Sequence, residues 1–262
     1  MSSESTPAIS SIVSSGICTV SLDAPERKNA LAPALVAELW HCLDNAMSDN
    51  TVRVIVLTNT GNTFCAGADL TSSSPGVAPT DTGPSFVDVF KIIFDGPKPV
   101  VGRIDGHATG GGVGLVAACD ISVMRDDAKI GFTEVRIGVA PAIISVACLP
   151  KMSRAHASEL FLTGERFTPQ RAAEVGLINT AVSADQLDDE VDRYISMLVR
   201  GGPDALASSK ELVRRVPSME RDAAFEWTAK KSAALFLTDE AKAGIAAFRN
   251  RQDAPWVPND WK

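Results

Sequence analysis

The sequence predicts an α/β fold whose last third is helical throughout, and three observations carry this. Three short runs, 54–57, 100–104 and 121–124, are apolar with little alternation, the mark of strands covered on both faces. Helical stretches near 86–94 and 111–118 lie between them, so strand and helix alternate as in a parallel sheet with crossover helices. From Ser153 onward one helical pattern follows another. The 262 residues are therefore expected to divide into a core over 1–200 and a helical region over 201–262.

Residues 1–8 are Ser-rich and polar and are expected to fray. Two runs, 11–13 and 17–22, flank Ser14, Ser15 and Gly16 as a hairpin. Leu35, Val36, Leu39, Trp40, Leu43 and Met47 recur at helical spacing behind Pro33, a residue favoured in a first turn. Segment 71–84 is almost entirely Ser, Thr, Gly, Pro and Asp, and is expected to be a mobile loop. Thr168 and Pro169 open a helix that Gly176 closes. Leu187, Val191, Tyr194, Ile195 and Leu198 line the next, and others are expected over 203–216, from Ser218, and from Thr238, where Asp239 and Glu240 favour the helix dipole.

With 45% hydrophobic and 22% charged residues, the chain can bury a core. Its net charge of -7 disfavours a nucleic-acid surface, and Lys210, Arg214 and Arg215 read as a solvated helix face. Residues 1–26 hold no Lys or Arg, and the apolar run 139–150 contains two prolines and is too short to span a bilayer. Neither a secretory signal nor a membrane span is expected. Five cysteines without a CxxC pair fit reduced thiols in a cytoplasmic protein. His41, His107 and His156 lie far apart, and no metal site is expected.

Two glycine-containing stretches carry the chemistry. Phe64-Cys65-Ala66-Gly67-Ala68-Asp69-Leu70 follows a buried strand, and small residues there leave backbone N–H groups free to face a ligand. Gly110-Gly111-Gly112-Val113-Gly114 precedes an apolar helix whose N-terminus favours negative charge. Neither stretch fits a dinucleotide fingerprint or a P-loop, and no GxSxG elbow is present.

Several segments in collinear order resemble the enoyl-CoA hydratase/isomerase family. They are Leu22 through Leu31 (LDAPERKNAL), Arg53 through Thr58 (RVIVLT), Phe64 through Leu70, and Gly106 through Gly112 (GHATGGG). Ala118-Cys119-Asp120, Phe132 through Gly138 (FTEVRIG), Leu162 through Glu165, Gly176-Leu177 and Phe248 through Arg251 complete the match. The resemblance implies a crotonase-type spiral of ββα units followed by a C-terminal helical trimerisation region. It implies an acyl-CoA substrate, with coenzyme A as part of that substrate and no separate cofactor, and a homotrimer or dimer of trimers. The thioester oxygen would be held by the N–H groups of Ala68 and Gly111, which matters because charge gathers there as an enolate forms. Arg27, Lys28 and Ala30 would lie near the nucleotide phosphates and pantetheine. Ala66, Ala68, Asp69 and Leu70 would lie by the adenine and pantetheine, Gly110 would line the same site, and Phe248 and Arg251 would reach in from a C-terminal helix of this or a neighbouring subunit.

Hydratases of the best-known type use two glutamates. Here the second aligns with Glu134, whereas Gly114 stands at the first position, and 135–150 contains no Asp or Glu. A single carboxylate beside an oxyanion hole can still move the α-proton and orient water, and burial among Phe132, Ile137 and the run after Gly138 would raise its pKa. A finer resemblance, through residues 110–120 and Ala140-Pro141-Ala142-Ile143-Ile144-Ser145, is to the methylglutaconyl-CoA hydratase-like branch. The sequence therefore points to hydration of a 2-enoyl-CoA. A single-base isomerase, a non-catalytic acyl-CoA-binding protein and an RNA-binding protein remain as rivals.

Overall fold

In the computed structural model, which describes residues 7–71 and 83–261, the chain opens with an antiparallel hairpin, β1 (Ile9–Ser14) and β2 (Ile17–Leu22). Strand β1 begins two residues earlier than the pattern suggests. Ala8, expected to fray, is tied down: its N–H donates to Glu38 Oε2 at 2.8 Å and its carbonyl accepts from Asp23 N–H at 2.7 Å. The first six residues, and 72–82 of the segment expected as a mobile loop, lie outside the described residues. Helix α1 (Pro33–Ser48) follows and buries Leu35, Val36, Leu39 and Leu43 of the periodic set, with Trp40 and Met47 half-buried against the same core.

Three passes of strand, strand and helix come next. They are β3 (Val54–Asn59), β4 (Thr63–Cys65) and α2 (Phe86–Asp95); β5 (Val100–Ile104), β6 (His107–Thr109) and α3 (Gly111–Ala118); and β7 (Ile121–Arg125), β8 (Ile130–Gly131) and, after a 3-10 turn at Thr133–Ile137, α4 (Ala142–Cys148). The first strand of each pass joins one sheet and the second joins another, so β3, β5 and β7 pair in parallel while β4, β6 and β8 do the same beside them. This repetition is the ββα spiral expected from the resemblance. Alternation divides the large sheet's residues: Val54 and Val56 face one apolar cluster, whereas Ile55 and Leu57 face the main core.

The remaining elements are α5 (Arg154–Thr163), β9 (Arg166–Phe167), α6 (Pro169–Glu174), β10 (Thr180–Val182), α7 (Leu187–Leu198), α8 (Pro203–Arg215), α9 (Arg221–Phe236) and α10 (Asp239–Asn250). The large sheet runs β1-β2-β3-β5-β7-β10 and the small one β4-β6-β8-β9. The expectation that the last third is helical throughout is thus corrected. Strand β10 extends the large sheet by pairing Thr180 with Val123, and three residues are too few to show a period in sequence. Helix α7 packs Leu187, Val191, Ile195 and its neighbour Val199 onto the Val54–Val56 face.

Helices α8, α9 and α10 contain no buried residue. Polar ties hold this region to the core. Arg53 donates to the carbonyls of Trp256 at 2.6 Å and Gly201 at 2.7 Å, and Lys210 bridges Asp120 at 2.7 Å and the Lys98 carbonyl at 2.9 Å. Among the described residues no helix is long and apolar enough to cross a membrane.

Candidate active site

Three neighbouring parallel strands of the small sheet deliver the site. Strands β4 and β6 pair at Thr63–His107 and Cys65–Ala108, with a shift of register between them, and Thr109 of β6 pairs with Gly131 of β8. Their carboxyl ends lead respectively into Ala66-Gly67-Ala68, into Gly110-Gly111, and into the 3-10 turn bearing Glu134. Carboxyl ends of parallel strands are where open α/β sheets place their ligands.

Gly67 and Gly110 adopt φ of +86° and +54°, conformations that L side chains rarely take. They also pack tightly. A Cβ on Gly67 would lie 2.9 Å from the Thr109 carbonyl oxygen and 3.0 Å from the Gly111 nitrogen, so only glycine lets the two turns come together. The bridge between Leu31 and Ala68 runs through neighbours of Ala68, with Leu31 N–H donating to the Gly67 carbonyl at 2.8 Å. The N–H of Ala68 therefore turns away from Leu31. Gly111 N–H belongs to the first residue of α3, where no intrahelical acceptor exists. Among the described residues neither N–H has a hydrogen-bond acceptor. Two donors on adjacent turns, one at a helix N-terminus, form a cradle for a developing negative charge.

Glu134 completes the arrangement. A Cβ on Gly110 would lie 3.4 Å from Glu134 Oε1, which places the carboxyl against the glycine turn. Its Oε2 is buried without a hydrogen-bond partner among the described residues. Burial pushes the acid above the ordinary glutamate range, against a smaller opposing effect of its own backbone N–H. Ile137, expected to help enclose it, is exposed. A half-buried acid with a raised pKa beside two free amide donors is equipped to take and return a proton.

Gly114, three residues into α3, has no space beside it. A Cβ there would overlap Ile144 Cγ2 of α4 and lie 2.9 Å from Phe90 Cζ of α2. Sequence reasoning missed Ile144 and Phe90, because an apolar residue at helical spacing gives no sign of which glycine it covers.

The expected coenzyme A residues separate into two groups. Residues 28–31 run beside 66–68, with Ala66 N–H donating to the Lys28 carbonyl at 3.0 Å, so Arg27, Lys28, Ala30, Ala66, Asp69 and Leu70 cluster around one turn. Asn29, buried among them, holds that turn: its Oδ1 accepts from Ala24 N–H at 2.8 Å and its Nδ2 donates to the Thr63 carbonyl at 2.8 Å. Arg27 is committed to a carboxylate, its guanidinium 2.5 Å from Asp69 Oδ2. Hydrogen bonds from the Thr71 hydroxyl and backbone, with Arg27 adding charge, hold Asp69 below the usual carboxylate range. Lys28 is exposed, and among the described residues no ion pair or side-chain hydrogen bond engages it. Phe248 and Arg251 lie at the end of α10, with Phe248 84% exposed, on an element separate from the 27–31 and 66–70 segments. Among the described residues no group of three or more His, Cys, Asp and Glu could hold a metal ion.

The chain is similar to known proteins along nearly its whole length. A family model described as enoyl-CoA hydratase/isomerase matches residues 13–259. A Thermus thermophilus protein provisionally named an enoyl-CoA hydratase is 33% identical over 240 residues, covering 88% of this chain and 94% of its own. A carnitinyl-CoA dehydratase of Citrobacter koseri is 31% identical over 247 residues, covering 92% and 94%. Among solved structures, an enoyl-CoA hydratase of Mycobacterium smegmatis superimposes with a TM-score of 0.86 at 29% identity, covering 96% of this chain and 99% of that one.

Proposed function

This chain belongs to the enoyl-CoA hydratase/isomerase family, and from that premise we propose that it adds water across the 2,3-double bond of an acyl-CoA thioester, using two backbone donors and one glutamate. The observation that carries the reading is Glu134, whose buried Oε2, without a partner among the described residues, and glycine-facing Oε1 sit at the turn that presents Gly111. As hydroxide character develops on water attacking C3, Glu134 takes the water's proton. The electron pair of the double bond moves onto the thioester oxygen, where the N–H groups of Ala68 and Gly111 stabilise it. Glu134 then returns the proton to C2, so no proton is gained or lost overall. A raised pKa favours the protonated intermediate form of the acid. Removal of water from a 3-hydroxyacyl thioester is the same path reversed, which accords with the dehydratase name of the Citrobacter relative.

One observation favours a second reading. Ile144 and Phe90 fill the space beside Gly114, so no carboxylate fits there, and one base, Glu134, is enough to carry a proton between C2 and C4 as an isomerase does. Turnover of 2-enoyl and 3-enoyl thioesters, read by product mass, separates the two. A gain of one water supports the hydratase, and an unchanged mass with a moved double bond supports the isomerase.

Coenzyme A would be held at the 27–31 turn, with exposed Lys28, which has no ion pair among the described residues, facing its phosphates and with Ala30, Ala66, Asp69 and Leu70 along the pantetheine. Phe248 and Arg251 would close the site from α10 of a neighbouring subunit in a trimer or dimer of trimers. The exposure of Phe225, Phe236 and Leu237 on and beside α9, at 70%, 68% and 76%, supports self-association.

A further inference from the structure

The two amide donors follow different strands, Ala68 after β4 and Gly111 after β6, so their separation and aim must be set by something other than either strand alone. The polar groups of the 66–68 turn can be traced one by one. Ala66 N–H donates to the Lys28 carbonyl at 3.0 Å, and the Gly67 carbonyl accepts from Leu31 N–H at 2.8 Å. The Ala66 carbonyl accepts from Thr109 Oγ1 at 3.1 Å, and Gly67 N–H points at Cys65 Sγ, 3.4 Å away. Of the three N–H groups in the turn, only that of Ala68 is left without an acceptor among the described residues. Two side chains, Cys65 and Thr109, thus grip the Ala66–Gly67 peptide from both sides, while Leu31 N–H holds the next peptide, which carries the donor, through the Gly67 carbonyl.

Their places in the fold fit this task. Thr109 immediately precedes Gly110 on β6, and its hydroxyl crosses to the β4 side, so one hydrogen bond links the Gly111 half of the cradle to the Ala68 half. Cys65 is the last residue of β4 and is fully buried. Its backbone and Cβ press against Gly112, where a side chain would overlap the Cys65 carbonyl. Burial pushes the Cys65 thiol up to about 12, so it stays protonated and serves as a weak acceptor rather than a nucleophile.

We infer that Thr109 and Cys65 are positioning residues for the oxyanion donors: Thr109 fixes the distance between the two halves, and Cys65 fixes the orientation of the Ala66–Gly67 peptide that leads directly into the Ala68 N–H. The inference rests on the reading that Ala68 and Gly111 hold the thioester oxygen. Complete removal of an oxyanion donor costs roughly 10²–10³ in kcat, so misalignment of an intact donor should cost less, about tenfold. The loss should fall on kcat and leave KM nearly unchanged, because the contact strengthens only as charge develops.

The test uses Thr109→Val, which keeps shape and β-branching while deleting the hydroxyl, with Thr109→Ser as its rescue, and Cys65→Ala with Cys65→Ser as its rescue. The readouts are kcat, KM and the infrared carbonyl stretch of bound butanoyl-CoA, a thioester that cannot be hydrated. Full-length protein is used, and thermal melts confirm folding. The expected result is a thioester stretch shifted down in the wild type and partly restored toward its free position in Thr109→Val and Cys65→Ala. In those variants kcat falls about tenfold with KM within twofold, and both serine variants recover. Wild-type kcat and stretch in the Val and Ala variants would overturn the inference, as would a loss confined to KM. No shift even in the wild type would instead overturn the underlying oxyanion reading, and the two failures are distinguishable.

Discussion

Glu134 lies against Gly110: a Cβ on that glycine would sit 3.4 Å from Oε1, while the other oxygen, Oε2, is buried without a partner among the described residues. A carboxyl so placed is destabilised as an anion, chiefly by burial. Hydration with Glu134 as base requires the anion, so kcat/KM should rise with pH along an acid limb whose apparent pKa lies above the usual glutamic acid value of about 4.3. Stability should move the other way. An acid whose folded pKa is raised stabilises the native state fully below its unfolded pKa and loses that contribution as pH climbs through the folded value. Glu134→Gln, which cannot ionise, should therefore have a higher Tm than wild type at pH 8 and a similar one near pH 4. Melts across that range check it, and an equal Tm difference at both ends would contradict it.

Adding a carboxylate at Gly114 should harm the protein. A Cβ there overlaps Ile144 Cγ2 and comes within 2.9 Å of Phe90 Cζ, both in the core. Overpacking of this kind costs roughly 1–3 kcal/mol, so Gly114→Glu should lower Tm by about 3–10 °C without raising the hydration rate. A stable variant that hydrates faster would show that Ile144 yields easily and that the single-carboxylate reading is incomplete.

Lys28 and Arg27 should differ in their effects, although they are neighbours. Arg27 is bound to Asp69, whereas Lys28 is exposed and engages no carboxylate among the described residues. Lys28→Ala should raise KM for acyl-CoA about three- to tenfold and leave KM for the matching acyl-pantetheine unchanged, since the shorter thioester lacks the nucleotide phosphates. Equal effects on both thioesters would place Lys28 away from the phosphates.

The expectation of a trimer or dimer of trimers is checked by sedimentation at micromolar concentration. Phe225, Phe236 and Leu237 are largely exposed in the single chain, and association would cover them. A monomer at that concentration would contradict it.

What the sequence reveals follows from how each feature is encoded. The large sheet is legible because Val54 through Leu57 and their partners are buried on both faces, which forces unbroken apolar runs. The small sheet is not, since β4, β6 and β8 are two or three residues long and leave no period to read. Yet this is the sheet that aligns Ala68, Gly111 and Glu134. Motif resemblance and glycine chemistry point to those residues where strand periodicity does not. Helix α4 was hidden inside the 139–150 run by its flanking prolines, so the overlap of Ile144 with the Gly114 position could not be foreseen. The Arg27–Asp69 pair was equally invisible, because two charges 42 residues apart announce no contact.

The central claim is that Glu134 and the two backbone donors hydrate an enoyl thioester without a second carboxylate. Its most direct test is turnover of a short or branched 2-enoyl-CoA in oxygen-labelled water by the wild type and by Glu134→Gln. Label should appear at C3 of the wild-type product, and the variant should turn over at least ~100-fold more slowly while binding the thioester with near-normal affinity. Absence of label from the wild-type product, or an unchanged rate in Glu134→Gln, would contradict it.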